Sequence, residues 1–434
     1  MRTLRGLAAF LIVLLFTSAS AQPETSSLPP FAAIFDTNIH WFDAAADSVL
    51  QLSTEGMDRN VDEGRVGFIR DKFTISPDGT ILVYAILEPD PVNADRERLY
   101  FMMIDLNTGE RTELPVRLAD ISRMHMSISL DNQSLLYNEG VTFYRLPLTA
   151  SGQPTPLFAL PDMSGGGGGG SSYPSDPLFW LERGGTTGGA RPILAETPLG
   201  LVFTPPPPNS IDDRGVYLYD FEQSQAFTVS DSMTNAALSA DRTQIAGVIP
   251  PDGERPGHPE TTISVVDLQT LVQERLTITD AIDNVTWGPA GSNTLYYSTR
   301  RRTGDINLDL LPFADREQLF SFTGRFADGT PVGIPRYEVG IFRYDLTTGA
   351  STRLYYADAW AIGRMFATPD SSALVFSQVT GLQRWVSERA AGIDYPDPYT
   401  PAQTDLYRLD LTDNISAIEL VGVNVQRPTF AGES

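Results

Sequence analysis

The chain of 434 residues has no cysteine, a single lysine (Lys72) and three histidines. Without cysteine there can be no disulfide, thiolate metal ligand, cysteine nucleophile or lipidated N-terminal Cys. His40, His125 and His258 stand far apart, with no HExxH-type pair, so neither a metal nor a cofactor is expected; His40 and His125 read as polar residues on or beside strands. Positive charge is scarce as well: 31 basic side chains face 54 acidic ones, a net charge of −23. That balance repels polyphosphate and anionic headgroups, which are bound by Lys and Arg replacing counterions, and it excludes nucleic acid as a partner. What is present, 41% hydrophobic and 20% charged residues, excludes wholesale disorder and a polytopic membrane protein.

The one apolar run is at the start. Arg2 and Arg5 precede Gly6 to Phe16, and Ala19-Ser20-Ala21 supplies small residues for a peptidase cut. Residues 1–21 are therefore expected to be a signal peptide, 22–30 a short linker and 31–434 the folded domain. The run of 11 residues is too short for the roughly 20 that a membrane span needs, so no stable membrane insertion is expected after cleavage. The expectation is export, to a periplasmic, cell-surface or secreted location.

A short motif recurs along the rest. Ile75-Ser76-Pro77-Asp78-Gly79 runs into Ile81-Leu82-Val83-Tyr84, and Ile128-Ser129-Leu130-Asp131-Asn132 runs into Leu135-Leu136-Tyr137. The pattern returns from Leu238, Trp287 and Ala367, and a truncated copy, Phe430-Ala431-Gly432, ends the chain. Pro presets φ, Asp bonds back to the backbone, Gly or Asn accepts positive φ, and the β-branched and aromatic run that follows is a buried strand. Anchored on the Ser-equivalent residue, the copies fall at 76, 129, 239, 288, 368 and 431. The gap of 110 is about two periods and predicts a degenerate copy near Asp176 to Trp180, with Leu178-Phe179-Trp180 as its strand. A second series interleaves: strands Ile39 to Asp43, Leu99 to Asp105, Val216 to Asp220, Ile263 to Asp267, Ile341 to Asp345 and Leu406 to Asp410 end in Asp before a short turn. Val141 to Pro147 is the odd member.

Four antiparallel strands every 50 to 60 residues, with no helical periodicity, predict an all-β fold: a single β-propeller of seven four-stranded blades. The outer hairpin Ile39 to Leu52 lacks an inner strand and Pro428 to Ala431 lacks partners, so their pairing closes the ring and covers both open edges.

The Ser-Pro-Asp-Gly turn before an aliphatic-aromatic strand, then a strand ending in Asp-Leu and a Thr-Gly-Glu turn, resembles the TolB-type propeller repeat. Residues 75–84 and 99–110 carry the clearest copy, and similar copies cover most of 31–434. Seven blades rather than six, and no separate domain between signal and propeller, are differences from TolB; no functional residue is carried over. The resemblance implies an exported propeller acting as a binding module.

Little in the chain announces chemistry. There is no G-x-S-x-G elbow. Gly165 to Gly170 lacks the Lys-Ser/Thr and helix of a phosphate cradle and reads as a linker. Pro205 to Pro208 reads as a rigid polyproline wall. The acidic loops Asp90 to Glu97 and Asp394 to Asp405 do not fit an EF-hand spacing. Arg300-Arg301-Arg302 reads as solvated loop arginine, with bidentate recognition of a carboxylate or sulfate as the alternative.

Loop lengths point to one face. With strands A to D named from the axis outward, A–B and C–D turns share one face, and B–C and D–A connections the other. Long B–C connections are expected over Glu88 to Arg98, Pro205 to Arg214, Pro250 to Glu260, Thr299 to Glu338 and Gln378 to Gln403, with the poly-Gly connection on the same face and Glu182 to Thr197 on the opposite one. The two longest carry Arg301, Tyr337, Trp385, Tyr395 and Tyr399, of the types enriched in binding hot spots. The sequence thus predicts a non-catalytic propeller binding a protein, peptide or polysaccharide through this face. The alternative is a propeller enzyme, a glycoside hydrolase or lyase acting on an extracellular glycan.

Overall fold

The computed structural model describes residues 28–35, 38–43, 46, 48–56, 67–90, 97–118, 124–160, 193–205, 215–251, 258–309, 311, 313–314, 316–317, 335–380, 386, 404–411, 418–422 and 425–431. Most of the expected signal and linker segments, the poly-Gly stretch and the expected copy at 176–180 lie outside the described residues.

Seven four-stranded antiparallel sheets are formed, the blades of a propeller. Blade 1 contains β1 (Phe31–Phe35), β2 (Asn38–Asp43) and β3 (Ser48–Gln51). Blade 2 runs β4 (Gly67–Ile75), β5 (Ile81–Pro89), β6 (Glu97–Asp105), β7 (Arg111–Glu113); blade 3 runs β8 (Met126–Ile128), β9 (Ser134–Glu139), β10 (Thr142–Pro147), β11 (Thr155–Ala159). Blade 4 has β12 (Leu194–Thr197), β13 (Gly200–Phe203), β14 (Val216–Asp220) and β15 (Gln225–Ser230); blade 5 has β16 (Thr234–Leu238), β17 (Gln244–Ile249), β18 (Thr261–Asp267) and β19 (Gln273–Asp280). Blade 6 comprises β20 (Ile282–Trp287), β21 (Thr294–Asp305), β22 (Pro335–Asp345) and β23 (Ala350–Asp358), and blade 7 comprises β24 (Ala361–Ala367), β25 (Ala373–Val379), β26 (Thr404–Asp410) and β27 (Ile418–Gly422). The last strand, β28 (Gln426–Phe430), pairs antiparallel with β1 and is the inner strand of blade 1.

The closure joins the two ends of the described chain. Phe31 lies opposite Phe430, which is only 2% exposed and stacks on Phe366 of blade 7 at 4.4 Å. Blade 1 packs on blade 7 through Phe31, Ala33 and Phe430 against Val375 and Leu406, and on blade 2 through Ile34 and Ile39 against Leu82 and Tyr84. The core thus lies between blades, and a missing β28 would expose both neighbours.

The recurrent motif folds for the expected reason. Ser76 Oγ donates to Asp78 Oδ1 at 2.6 Å and accepts the Thr80 and Ile81 N–H groups; Ser129 with Asp131, Ser239 with Asp241 and Thr368 with Asp370 repeat the donation at 2.5 to 2.6 Å. On the C–D turns, the Oδ1 atoms of Asp105, Asp220, Asp267 and Asp345 each accept the N–H groups two and three residues on. These are the side-chain-to-backbone bonds by which Asp and Ser stabilise turns.

Three expectations need correction. The fourth blade takes its inner strand from β12, not from 178–180, because its turn is a two-residue link at Pro198-Leu199 without the Ser-x-Asp bracket. Its apolar core position holds Glu196 instead, whose carboxylate accepts the Leu130 N–H at 2.8 Å and pairs with Arg145, while its carbonyl accepts Arg242 Nη1 at 2.7 Å. Of the expected opposite-face stretch Glu182 to Thr197, Leu194 to Thr197 form the inner strand β12 instead, and 182–192 lie outside the described residues. Second, Arg300 to Arg302 and Tyr337 belong to strands, because the β21–β22 hairpin extends its ladder to Asp305↔Pro335. Third, the N-terminal part of blade 1 supplies three strands rather than two, β1 being one beyond the outer hairpin. Among the described residues no helix is long and apolar enough to cross a membrane.

Candidate functional site

The two ends of the propeller differ in their connections. A–B and C–D turns span two to seven residues, whereas five of the seven B–C connections span 7 to 29, the longest being 306–334 and 380–403 in adjacent blades. The other two, 36–37 and 140–141, are tight.

At the foot of the longest connection the β21–β22 hairpin rises as a two-sided ledge. Arg302 lies opposite Tyr337 and Arg301 opposite Glu338, so Arg301 and Tyr337 are on different faces of the hairpin. On the face toward blade 7, the Arg300 guanidinium sits 5.1 Å from the Tyr337 ring centre, and Tyr337 packs edge-on against Trp360, also at 5.1 Å. Trp360 is buried with Leu311, Val379 and Val386. Arg300 Nε is 3.9 Å from the carboxylate of Asp283, a fully buried residue. On the other face Arg301 keeps 65% of its side chain exposed, 3.9 Å from Asp280. Beside the ledge the Tyr356 hydroxyl donates to Glu338 at 2.6 Å, a bond that raises the phenol above its ordinary range. Of the five expected binding residues, Arg301 is thus an open cation and Tyr337 a partly covered support. Trp385, Tyr395 and Tyr399 lie outside the described residues.

A second feature lies on the inner strands. Four residues back from each turn anchor (Ser76, Ser129, Thr197, Ser239, Gly288, Thr368, Ala431) stand Lys72, His125, Ile193, Asn235, Asn284, Arg364 and Arg427. Six of seven are polar, and their equal spacing from the A–B turns puts them at a common position along the inner strands. In five blades the inner ladder shifts register across this level: between Phe68 and Phe73, Thr234 and Ala237, Ile282 and Asn284, Ile362 and Met365, and along Gln426 to Thr429. Bulges bend a strand and re-aim side chains. Backbone donors at this level are met by side chains of the second strand: Asn138 Oδ1 accepts from His125 at 2.7 Å, Thr204 Oγ1 from Ile193 at 3.1 Å and Ser377 Oγ from Arg364 at 2.8 Å. Three ring side chains reach the next inner strand: Asn235 Nδ2 to Asp283 O at 2.7 Å, Asn284 Nδ2 to Ile362 O at 2.9 Å and Arg364 Nη1 to Thr429 Oγ1 at 3.0 Å. Reading the repeats forward from their turns misses this ring; counting backward finds it.

The fold and its two ends define a seven-bladed β-propeller. No family model and no curated protein matches the chain. Solved structures similar to it include an oligogalacturonate lyase in complex with manganese, at 14% identity over 88% of this chain and 84% of that one, TM-score 0.48. TolB from Acinetobacter baumannii is another, at 15% identity over 80% of this chain and 67% of that one, TM-score 0.39. Likenesses this distant carry no activity, substrate or partner to this chain.

Proposed function

We propose that this is an exported, non-catalytic propeller that binds a protein, peptide or polysaccharide through its B–C face, centred between blades 6 and 7. The observation that carries the reading is the concentration of long connections on one face, with the two longest B–C connections in adjacent blades over a strand-built ledge. Rigid scaffolds present recognition residues on such loops, and Arg301, Tyr337, Trp385, Tyr395 and Tyr399 are the residues assigned to it. Residues 1–21 direct export and are removed, leaving Gln22 first and no membrane anchor; the mass of the mature chain tests this, and a chain beginning at Met1 contradicts it. For binding, the test is capture from the envelope fraction of the source organism by the mature protein. Shortening Asp305 to Gly333 together with Trp385→Ala abolishes capture and leaves the fold intact; capture that survives both changes refutes the reading.

The second reading, an enzyme acting on an extracellular glycan, draws on the polar ring of the inner strands. Release of new chain ends from a panel of soluble polysaccharides would establish it, and loss of that release in His125→Gln would place the chemistry at the ring.

A further inference from the structure

Asp283 on β20 is wholly buried, and neither oxygen of its carboxylate has a hydrogen-bond partner. It is the extra residue of the bulge between the pairs Ile282↔Thr299 and Asn284↔Ser298, on the inner strand of blade 6. Among the described residues its ion-pair partner is Arg300 on β21, whose Nε lies 3.9 Å from Oδ2, beyond hydrogen-bond length. A buried carboxylate with no cation near it is far costlier than a separated pair, so Asp283 holds Arg300 to the inner strand whatever else Arg300 touches. The tie continues outward. Arg300 is only 8% exposed, its guanidinium sits 5.1 Å from the Tyr337 ring centre, and Tyr337 meets Trp360 edge-on at 5.1 Å. Trp360 packs with Leu311 and Val386, one from each of the two longest B–C connections. A continuous series of contacts thus runs from one acid on the inner strand to both connections.

We infer that Asp283 is the positioning residue of the loop face: through Arg300 it fixes the Tyr337 ring and the Trp360 indole, against which both long connections pack. Its consequence for recognition rests on the loop-face reading, since Tyr337 is one of the five residues assigned to the partner; the geometry does not. The two members of the pair differ in reach. Arg300 has a long side chain on a strand that continues to Asp305, and it can turn its charged head toward water; Asp283 is short, sits on the inner strand and cannot. Losing the Asp283 charge therefore releases Arg300 and the Tyr337 ring, whereas losing Arg300 strands a buried charge.

The test has a spectroscopic arm and a stability arm, both on the mature protein and without a partner. The near-ultraviolet circular dichroism that Trp360 contributes is the parent spectrum minus that of Trp360→Phe. Measured in the same way in the Asp283→Asn background, well below melting, most of that contribution is expected to be lost while the far-ultraviolet spectrum stays parental; a role confined to stability would leave it in place. In the second arm Arg300→Met is expected to lower the melting temperature by about 5 to 10 °C, and adding Asp283→Asn to it should recover most of the loss. An undiminished Trp360 contribution in Asp283→Asn overturns the inference, and so does an Asp283→Asn chain that does not fold. A double variant no more stable than Arg300→Met also overturns it. If Arg300→Met alone does not fold, a folded double variant supports the inference and an unfolded one refutes it. Should both arms succeed while the loop-shortened variant still captures its partner, only the loop-face reading falls.

Discussion

The turn face and the loop face of this propeller are made by opposite rules. On the turn face nearly every connection is short and is closed by the same few bonds, Ser or Thr to Asp between strands A and B, and Asp to backbone N–H between C and D. On the loop face no two long B–C connections are alike in length, and the ordered contacts at their feet occur once each: Arg300 over Tyr337, Tyr337 on Trp360, Arg301 near Asp280. Repetition marks what holds the blades, and singularity marks where a specific partner can be read. The inner-strand ring shares features of both, repeated in position and varied in side chain.

The largest expected effect falls at the end of the inner strand that closes the ring. Phe430→Ala should cost about 3 to 5 kcal/mol, the usual range for emptying a buried aromatic site, read as a shift in the denaturant midpoint. Deleting Pro428 to Ser434 should lower the melting temperature further, and an unchanged melting temperature would break the closure argument.

Acid should act on the turn face next. Hydroxyl donation from Ser129, Ser239 and Thr368 holds Asp131, Asp241 and Asp370 below the ordinary aspartate range; at Asp78 burial opposes the shift, but bonds from Ser76 and Thr80 outweigh it. Backbone N–H groups, led by those of Thr108, Thr270 and Thr348, do the same for Asp105, Asp267 and Asp345. Each folded-state pKa is lowered, so the stabilisation is present above the unfolded value of about 4 and is lost as pH falls through the lower folded values. Urea midpoints should therefore hold near pH 6 and fall steeply below pH 4, with a shallower fall in Asp241→Asn.

A single bracket is a smaller matter. Ser76→Ala removes one donor bond and two acceptor bonds of a fully buried hydroxyl, and should cost about 1 to 3 kcal/mol. Smallest of all is Arg301→Ala: an ion pair this exposed contributes at most about 0.5 to 1 kcal/mol, so its melting temperature should stay within a degree or two of the parent while capture weakens. A large loss of stability there would erase the distinction between the faces.

The sequence disclosed the turn face well because its signals are local. Seven-fold repetition, the Asp-ended strands and the closing strand all follow from turn chemistry within a few residues of Ser76 or Asp105. Blade 4 was hidden because Glu196 and a two-residue turn replace the apolar residue and the bracket, and its stability comes from Arg145, Leu130 and Arg242 in neighbouring blades. Arg300 to Arg302 looked like loop because their strand is held by cross-strand pairing and a Tyr337 ring distant in sequence, which no local pattern encodes. Loop lengths were visible in advance, and the face that bears them follows from strand alternation. The ring was present in the sequence too, but only as one position repeated at long intervals.

Partner capture by the loop-face variant is the most direct test of the division between the two faces. With Asp305 to Gly333 shortened so that Leu311 and its packing on Trp360 are kept, and Trp385 replaced by Ala, the mature protein should stay folded, yet capture nothing that the parent captures from the envelope fraction. Capture at the parental level by that variant, with its fold intact, would contradict the account.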